Sequence, residues 1–216
     1  VLETRNYLLL LAYFNSTVIT VFAVTLLVLF GAMVGYVLQR RPSRWNKVIY
    51  GFVLAGLMIP PAVVPTIWVL QSIGLFKTIT GMIFIQVAYG LAFSVLLFRS
   101  FIATIPRDLD EAALIDGATP LQIFFRVILP LLTPALLAGT SLAFARSLGE
   151  FGAIIFIAGN QPFSTEITAL LAFIRLEEYD YPASAAIASV MLIAAFVMLA
   201  VTNYLQARAL RYTVKG

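Results

Sequence analysis

Long apolar runs separated by short polar stretches dominate the 216-residue chain. A helix that crosses a bilayer needs roughly 20 mostly apolar residues. Five stretches qualify, at about 16–38, 48–70, 81–98, 134–158 and 183–205. The first holds no charged residue, and the second contains Pro60, Pro61 and Pro65. Proline removes a backbone donor and clashes one turn back, so the second helix is expected to kink or unwind. Such a break survives in a bilayer only where protein or a cavity satisfies the freed carbonyls. Pro60 and Pro61 therefore read either as a packing kink or as the hinge or lining of a pathway.

The polar stretches set an orientation. Gln39 to Lys47 carries four basic residues and no acid, and the end of the chain adds Arg208, Arg211 and Lys215. Basic loops favour the cytoplasmic side. With five spans the N-terminus then lies outside and the C-terminus inside. The outer connections become 71–80 and 159–182, the latter holding Glu166, Glu177, Glu178 and Asp180 against one Arg175. The segment 99–133 falls inside.

That inner segment, about 35 residues long, exceeds an ordinary connector and has helical punctuation of its own. Pro106 suits a first helical turn, and Asp108, Asp110 and Glu111 suit the positive end of the helix dipole. Leu109, Ala112 and Ala113 share a small apolar face at helical spacing. Gly117 reads as the C-terminal stop, and Thr119-Pro120 as a new N-cap and first residue. Leu121, Phe124, Phe125 and Ile128 form a bulkier stripe, which Leu129-Pro130 is expected to end. Two short helices joined at a glycine make a knob. By pattern alone it either meets a partner groove or lies passively at the membrane surface.

Arg146 and Glu150 stand four apart in the fourth span, where ionised groups are costly and helical neighbours pair. They read as a self-neutralising structural pair or as part of a pathway or gate, with Arg146 facing an anion. Gly149 and Gly152 permit close approach of a helix or ligand there.

Composition narrows the chemistry. Hydrophobic residues make up 62% and charged residues 11% of the chain, well below the quarter or so charged in soluble domains. Neither cysteine nor histidine occurs, which removes disulfides, thiolates and imidazole from consideration. No catalytic residue and no metal ligand is assigned, and an intramembrane enzyme is disfavoured. A net charge of +4 reports orientation rather than nucleic-acid binding. The chain has no Gly-x-x-x-x-Gly-Lys-Ser/Thr sequence for cradling phosphates.

Glu111-Ala112-Ala113, then Gly117, then Val127-Ile128-Leu129-Pro130 resembles the EAA signature of ABC importer permeases, with its spacing intact and valine at a position where isoleucine is usual. The resemblance covers the chain from about residue 15 onward. It implies an all-α membrane fold of the MetI-like permease type, a bundle of about five transmembrane helices with a cytoplasmic helical coupling loop. By the same resemblance Glu111, Ala112, Ala113, Asp116 and Gly117 contact or shape an ATPase interface, and Leu129 and Pro130 set the return into the membrane. The chain itself then needs no cofactor, since ATP and Mg belong to a partner ATPase. The implied partners are cytoplasmic ABC ATPase subunits, a second permease subunit (identical or paralogous), a periplasmic or surface substrate-binding protein, and the lipid bilayer. A bacterial or archaeal cytoplasmic membrane is the implied location.

The cargo follows from two resemblances. Residues 15–134, with Met58-Ile59-Pro60, resemble sugar permeases. From Ala135 on, the stretch Gly149-Glu150-Phe151-Gly152-Ala153 and the run Glu177 to Tyr181 resemble sulfate and molybdate permeases. The expectation is a permease for an inorganic oxyanion (sulfate, thiosulfate or molybdate), with a sugar permease as the alternative. A passive channel or membrane scaffold subunit is the alternative of another class. Residues 1–15 are expected as an outer segment, 16–206 as the transmembrane domain with its coupling loop at about 99–133, and 207–216 as a cytoplasmic tail.

Overall fold

The computed structural model describes residues 2–60, 62–133, 136–137, 139 and 167–213. Among these residues every regular element is helical. The helices are α1 (Leu2–Arg40), α2 (Asn46–Met58), α3 (Val63–Ser72), α4 (Ile79–Thr104) and α5 (Asp108–Ile115), followed by α6 (Pro120–Leu131), α7 (Thr168–Glu177) and α8 (Tyr181–Thr213). Three stretches are long and apolar enough to cross a membrane, Leu10–Arg40, Ile79–Thr104 and Tyr181–Leu205. The broken pair α2 and α3 makes a fourth span if counted together. The expected span at 134–158 lies almost wholly outside the described residues.

Several boundaries differ from the sequence expectation. The first helix begins at Leu2, so residues expected as an outer segment are already helical. Apolar run length marks where a chain can cross the bilayer, not where its hydrogen bonding starts. For the same reason α8 continues past the expected end of its span, through the basic tail to Thr213. The expected outer loop at 159–182 contains α7, an amphipathic helix with Thr168, Leu170 and Leu171 buried. The proline break does unwind the second helix: α2 stops at Met58, Ile59 is extended, and α3 starts at Val63. Pro60 lies exposed in that break, and Pro61 lies outside the described residues.

The chain forms two compact units. One combines Val1–Val24, Pro61–Val87 and Leu142–Val201. Its described core includes Ile19, Ala23, Leu70, Met82, Ile85, Leu170 and Ile187. Polar ties supplement that packing. Ser16 Oγ accepts from the Thr168 backbone N–H at 3.3 Å, and Ser184 Oγ donates to the Ala172 carbonyl at 2.9 Å. At the start of α4 the Thr78 hydroxyl accepts from the Gly81 N–H at 3.0 Å, a side-chain N-cap.

The other unit combines Thr25–Pro60, Ala88–Ser141 and Thr202–Gly216. Here α1 and α4 approach closely through Gly31 and Gly35, a Gly-x-x-x-Gly pair of the kind that lets helix backbones meet in a bilayer. A Cβ at Gly35 would lie 3.0 Å from the Arg99 backbone nitrogen. Below the crossing, Ala32 and Tyr36 of α1, Phe98 and Ile102 of α4, and Ile123, Phe124, Ile128 and Leu132 form one buried cluster. In contrast, α2 buries none of its residues, and Phe52, Leu57 and Met58 stand exposed on it. An apolar surface of that extent needs lipid or a protein neighbour.

Candidate functional site

The knob expected from the sequence is present, and its construction explains how it is held. Helix α5 starts after Arg107, two residues beyond the expected Pro106, because Asp110 and Glu111 N–H groups turn back to the Arg107 carbonyl. Asp108, Asp110 and Glu111 do occupy its first turn. At the far end Gly117 adopts φ +81°, a conformation costly for residues with a side chain. Its N–H donates to the Leu114 carbonyl and the Ala118 N–H to the Ala113 carbonyl, both at 3.0 Å. This is a Schellman ending, which satisfies the last carbonyls of α5.

Thr119 then opens α6 with a reciprocal capping box. Its Oγ1 accepts from the Gln122 N–H at 3.4 Å, while its own N–H donates to Gln122 Oε1 at 2.8 Å. As expected, this helix ends at Leu129-Pro130 to within one residue, with Leu132 as its C-cap. The turn from Phe124 to Ile128 is π-helical, with the Leu129 N–H donating to the Phe124 carbonyl, and helical structure continues through Leu131. A proline ring clashes with the carbonyl four residues earlier and offers no N–H. Widening the turn before Pro130 accommodates both defects, a frequent use of π-bulges.

The structure separates the knob into two faces. Ala113 and Ala118 of the joint and Val127 and Leu129 of α6 pack against the buried cluster. Tyr36 and Phe124 meet there with ring centroids 5.6 Å apart and planes tilted by 53°. Glu111, Ala112, Asp116 and Gly117 face outward, as does Pro130. Leu114, Leu121 and Phe125 are exposed beside them, and Ile115 is 87% exposed. Of the apolar stripe expected on α6, Phe124 and Ile128 are therefore core, whereas Leu121 and Phe125 belong to the open face.

One arrangement was not legible from local pattern. Arg40, the last residue of α1, reaches Asp110 in the first turn of α5, with Nε 2.8 Å from Oδ2. The two side chains are only 7% and 11% exposed. Arg40 Nη2 also donates to the Ile105 carbonyl at 2.7 Å. Burial pushes the Asp110 carboxyl above its ordinary pKa, outweighing the opposing pull of Arg40 and Arg107. The sequence signals were a basic residue ending a charge-free helix and a carboxylate among several near a helix start. Neither identifies its partner across 70 positions. A second arginine near this end of α1, Arg99, donates to Gln39 Oε1 at 3.2 Å and lies 4.4 Å from the centre of the Tyr50 ring.

The candidate pathway residues Arg146, Gly149, Glu150 and Gly152 lie outside the described residues, as does Pro61. Among the described residues no group of His, Cys, Asp or Glu side chains is arranged to hold a metal ion.

Comparisons with known proteins bear on this geometry. The family described as "binding-protein-dependent transport system inner membrane component" matches residues 27–211. The chain is 37% identical over 217 residues to the sulfate transport system permease protein CysT of Salmonella typhimurium, covering 90% of this chain and 78% of that one. It is 56% identical over 101 residues to the protein of the same name from Escherichia coli, covering 47% and 36% of the two chains. It is also 33% identical over 189 residues to the diacetylchitobiose uptake system permease protein NgcG of Streptomyces coelicolor, covering 87% and 63%. Among solved structures, a bacterial ABC transporter that imports the acidic polysaccharide alginate superposes with a TM-score of 0.78 at 23% identity, covering 91% of this chain and 75% of that one. The MetNI methionine ABC transporter superposes with a TM-score of 0.67 at 17% identity, covering 96% and 98%. These two likenesses establish the fold, a MetI-type permease bundle.

Proposed function

The chain belongs to the binding-protein-dependent transport system inner membrane components, and from that premise we propose that it forms the path for an inorganic oxyanion, sulfate foremost, in an ATP-driven importer. It is a multi-pass inner-membrane permease subunit of an ABC importer, a transporter component. The observation that carries the coupling part of this reading is the two-faced knob. Its inner face is welded to α1 and α4 by the buried cluster, while Glu111, Ala112 and Ile115 are left open. In our reading that open face docks into a cleft on a cytoplasmic ATPase, which supplies the ATP and Mg chemistry this chain lacks. The N-terminus lies outside and the C-terminus, with the tail at 207–216, lies inside.

ATP binding draws two ATPase subunits together and carries two knobs with them. The transmembrane domain at 16–206, coupled through 99–133, then rocks to open the path toward a docked substrate-binding protein. The exposed apolar face of α2 suits a second permease subunit, identical or paralogous. Arg146 supplies positive charge for the anion, with Gly149, Glu150 and Gly152 beside it and the Pro60-Pro61 break as a hinge. Support for an oxyanion comes from the likeness to sulfate permeases over nearly the whole chain. The likeness to a diacetylchitobiose permease favours a second reading, a sugar cargo.

Uptake of radiolabelled sulfate and of a labelled disaccharide, in cells expressing the full complex, separates the two. Saturable sulfate uptake that is lost in Arg146→Gln supports the oxyanion path. Sugar uptake without sulfate uptake overturns it.

A further inference from the structure

We propose that Arg40 is a positioning residue that fastens the coupling helix α5 to the end of the first span through Asp110, so that movement of the knob is passed directly to α1. The inference rests on the coupling reading above and adds a specific route for the force.

Three observations carry it. First, the pair joins two elements through charge: Arg40 closes α1, and Asp110 sits in the first turn of α5. Secondly, Arg40 holds the loop at two points, the Asp110 carboxylate and the Ile105 carbonyl, which bracket the bend between α4 and α5. A planar guanidinium held to a carboxylate by charge and to a carbonyl by a hydrogen bond resists rotation better than a single contact does. Thirdly, the pair is poorly suited to a purely stabilising role. Arg40 Nε and Asp110 Oδ1 are buried without a hydrogen-bond partner among the described residues, despite the 2.8 Å approach of the charges. Removing two ions from water with incomplete hydrogen bonding costs much of what their attraction returns. The fold already has an apolar alternative in the adjoining cluster of Tyr36, Phe98 and Phe124. A buried ion pair that adds little stability but fixes one geometry is expected where geometry is what function needs.

The test uses the whole complex of permease, ATPase and binding protein in proteoliposomes, comparing Arg40→Met, Asp110→Asn, the conservative Arg40→Lys and the exchange Arg40→Asp with Asp110→Arg. Assembly, ATP hydrolysis and substrate uptake are read on each. In Arg40→Met and Asp110→Asn, assembly and hydrolysis are expected to persist while uptake per ATP falls about tenfold, the usual size of a coupling between sites. Arg40→Lys is expected to recover part of the ratio, and the exchange more of it. The chain has no native cysteine, so spin labels at the exposed positions Val37→Cys and Ile115→Cys report the geometry directly. Their distance distribution is expected to be narrow with Arg40 present and broad in Arg40→Met.

An unchanged uptake-to-ATP ratio in both single variants overturns the proposal. So does a parallel loss of assembly and activity that neither the lysine variant nor the exchange repairs, because the pair is then simply part of the fold. Failure of the coupling reading looks different: the unaltered permease itself does not assemble with the ATPase.

Discussion

Gly31 and Ser94 meet where α1 passes α4, and a Cβ at Gly31 would stand 2.8 Å from the Ser94 Cβ. The neighbouring Phe98 ring and Ser94 carbonyl carbon close the remaining space at 3.2 and 3.3 Å. A side chain there must push the helices apart, against the packing that replaces hydrophobic driving force inside a bilayer. Gly31→Val is expected to destabilise the detergent-solubilised permease by about 1–3 kcal/mol, the usual range for overpacking. Gly51 on α2 is the control, since nothing lies within 4 Å of its Cβ position. Gly51→Ala should leave stability unchanged or raise it by up to about 1 kcal/mol through helix propensity. Thermal unfolding of the two variants checks both; equal loss in each contradicts the close crossing.

The joint of the knob gives a more local prediction. Gly117 needs positive φ, and Thr119 caps α6 from both sides of its first turn. Gly117→Ala is expected to cost about 1–2 kcal/mol in backbone strain. Thr119→Ala should cost about 1 kcal/mol as a lost cap. Both effects should appear as faster amide exchange within α5 and α6, with α1 and α4 unaffected. Uniformly faster exchange throughout the chain would show that the knob is not a separable element.

How far the sequence could be read differed between these features for physical reasons. Gly117, Thr119 and Pro120 act on their own backbone, so their roles follow from local chemistry and the structure realises each one. The family likewise followed from Glu111-Ala112-Ala113 and its downstream spacing. Pro130 reads correctly as a stop, since the helix ends at Leu131, but the π turn ahead of it was not legible, because a proline's clash does not say how the preceding turn relieves it. The Arg40–Asp110 pair and the Gly31–Ser94 approach link positions far apart in sequence, where hydrophobic period carries no pairing information.

Asp110 gives a pH prediction. Burial raises its pKa, while Arg40 on α1 and Arg107 ahead of α5 lower it and Glu111 on α5 adds to the rise. Tyr36 on α1 is the further titratable group electrostatically linked to it. A carboxyl whose pKa is higher folded than unfolded holds its proton more tightly in the folded state. Its contribution is therefore full below the unfolded carboxylate value of about 3.9 and is lost as pH rises through the folded value. Subtracting the Asp110→Asn stability profile from that of the unaltered chain isolates this group. The difference should decline with rising pH across that window and then flatten; a difference that grows with pH would mean the ion pair outweighs burial.

The open face of the knob yields the final prediction. Ile115 is almost fully exposed at the tip of α5 and stands with exposed Leu114, Leu121 and Phe125, an apolar grouping of the kind that marks an interaction surface. Ile123, on the adjoining helix, is buried in the cluster behind. Because the chain contains no cysteine, Ile115→Cys and Ile123→Cys each introduce a single thiol. A maleimide should label the first rapidly and the second slowly in the isolated permease. Adding the cognate ATPase should slow labelling at position 115 severalfold and leave position 123 as it was. The contrast matters more than either rate, since detergent or lipid covering would slow position 115 whether or not the ATPase is present. If the ATPase binds and position 115 labels at its original rate, the docking face lies elsewhere on the knob, and Leu121 and Phe125 of α6 become the next positions to probe.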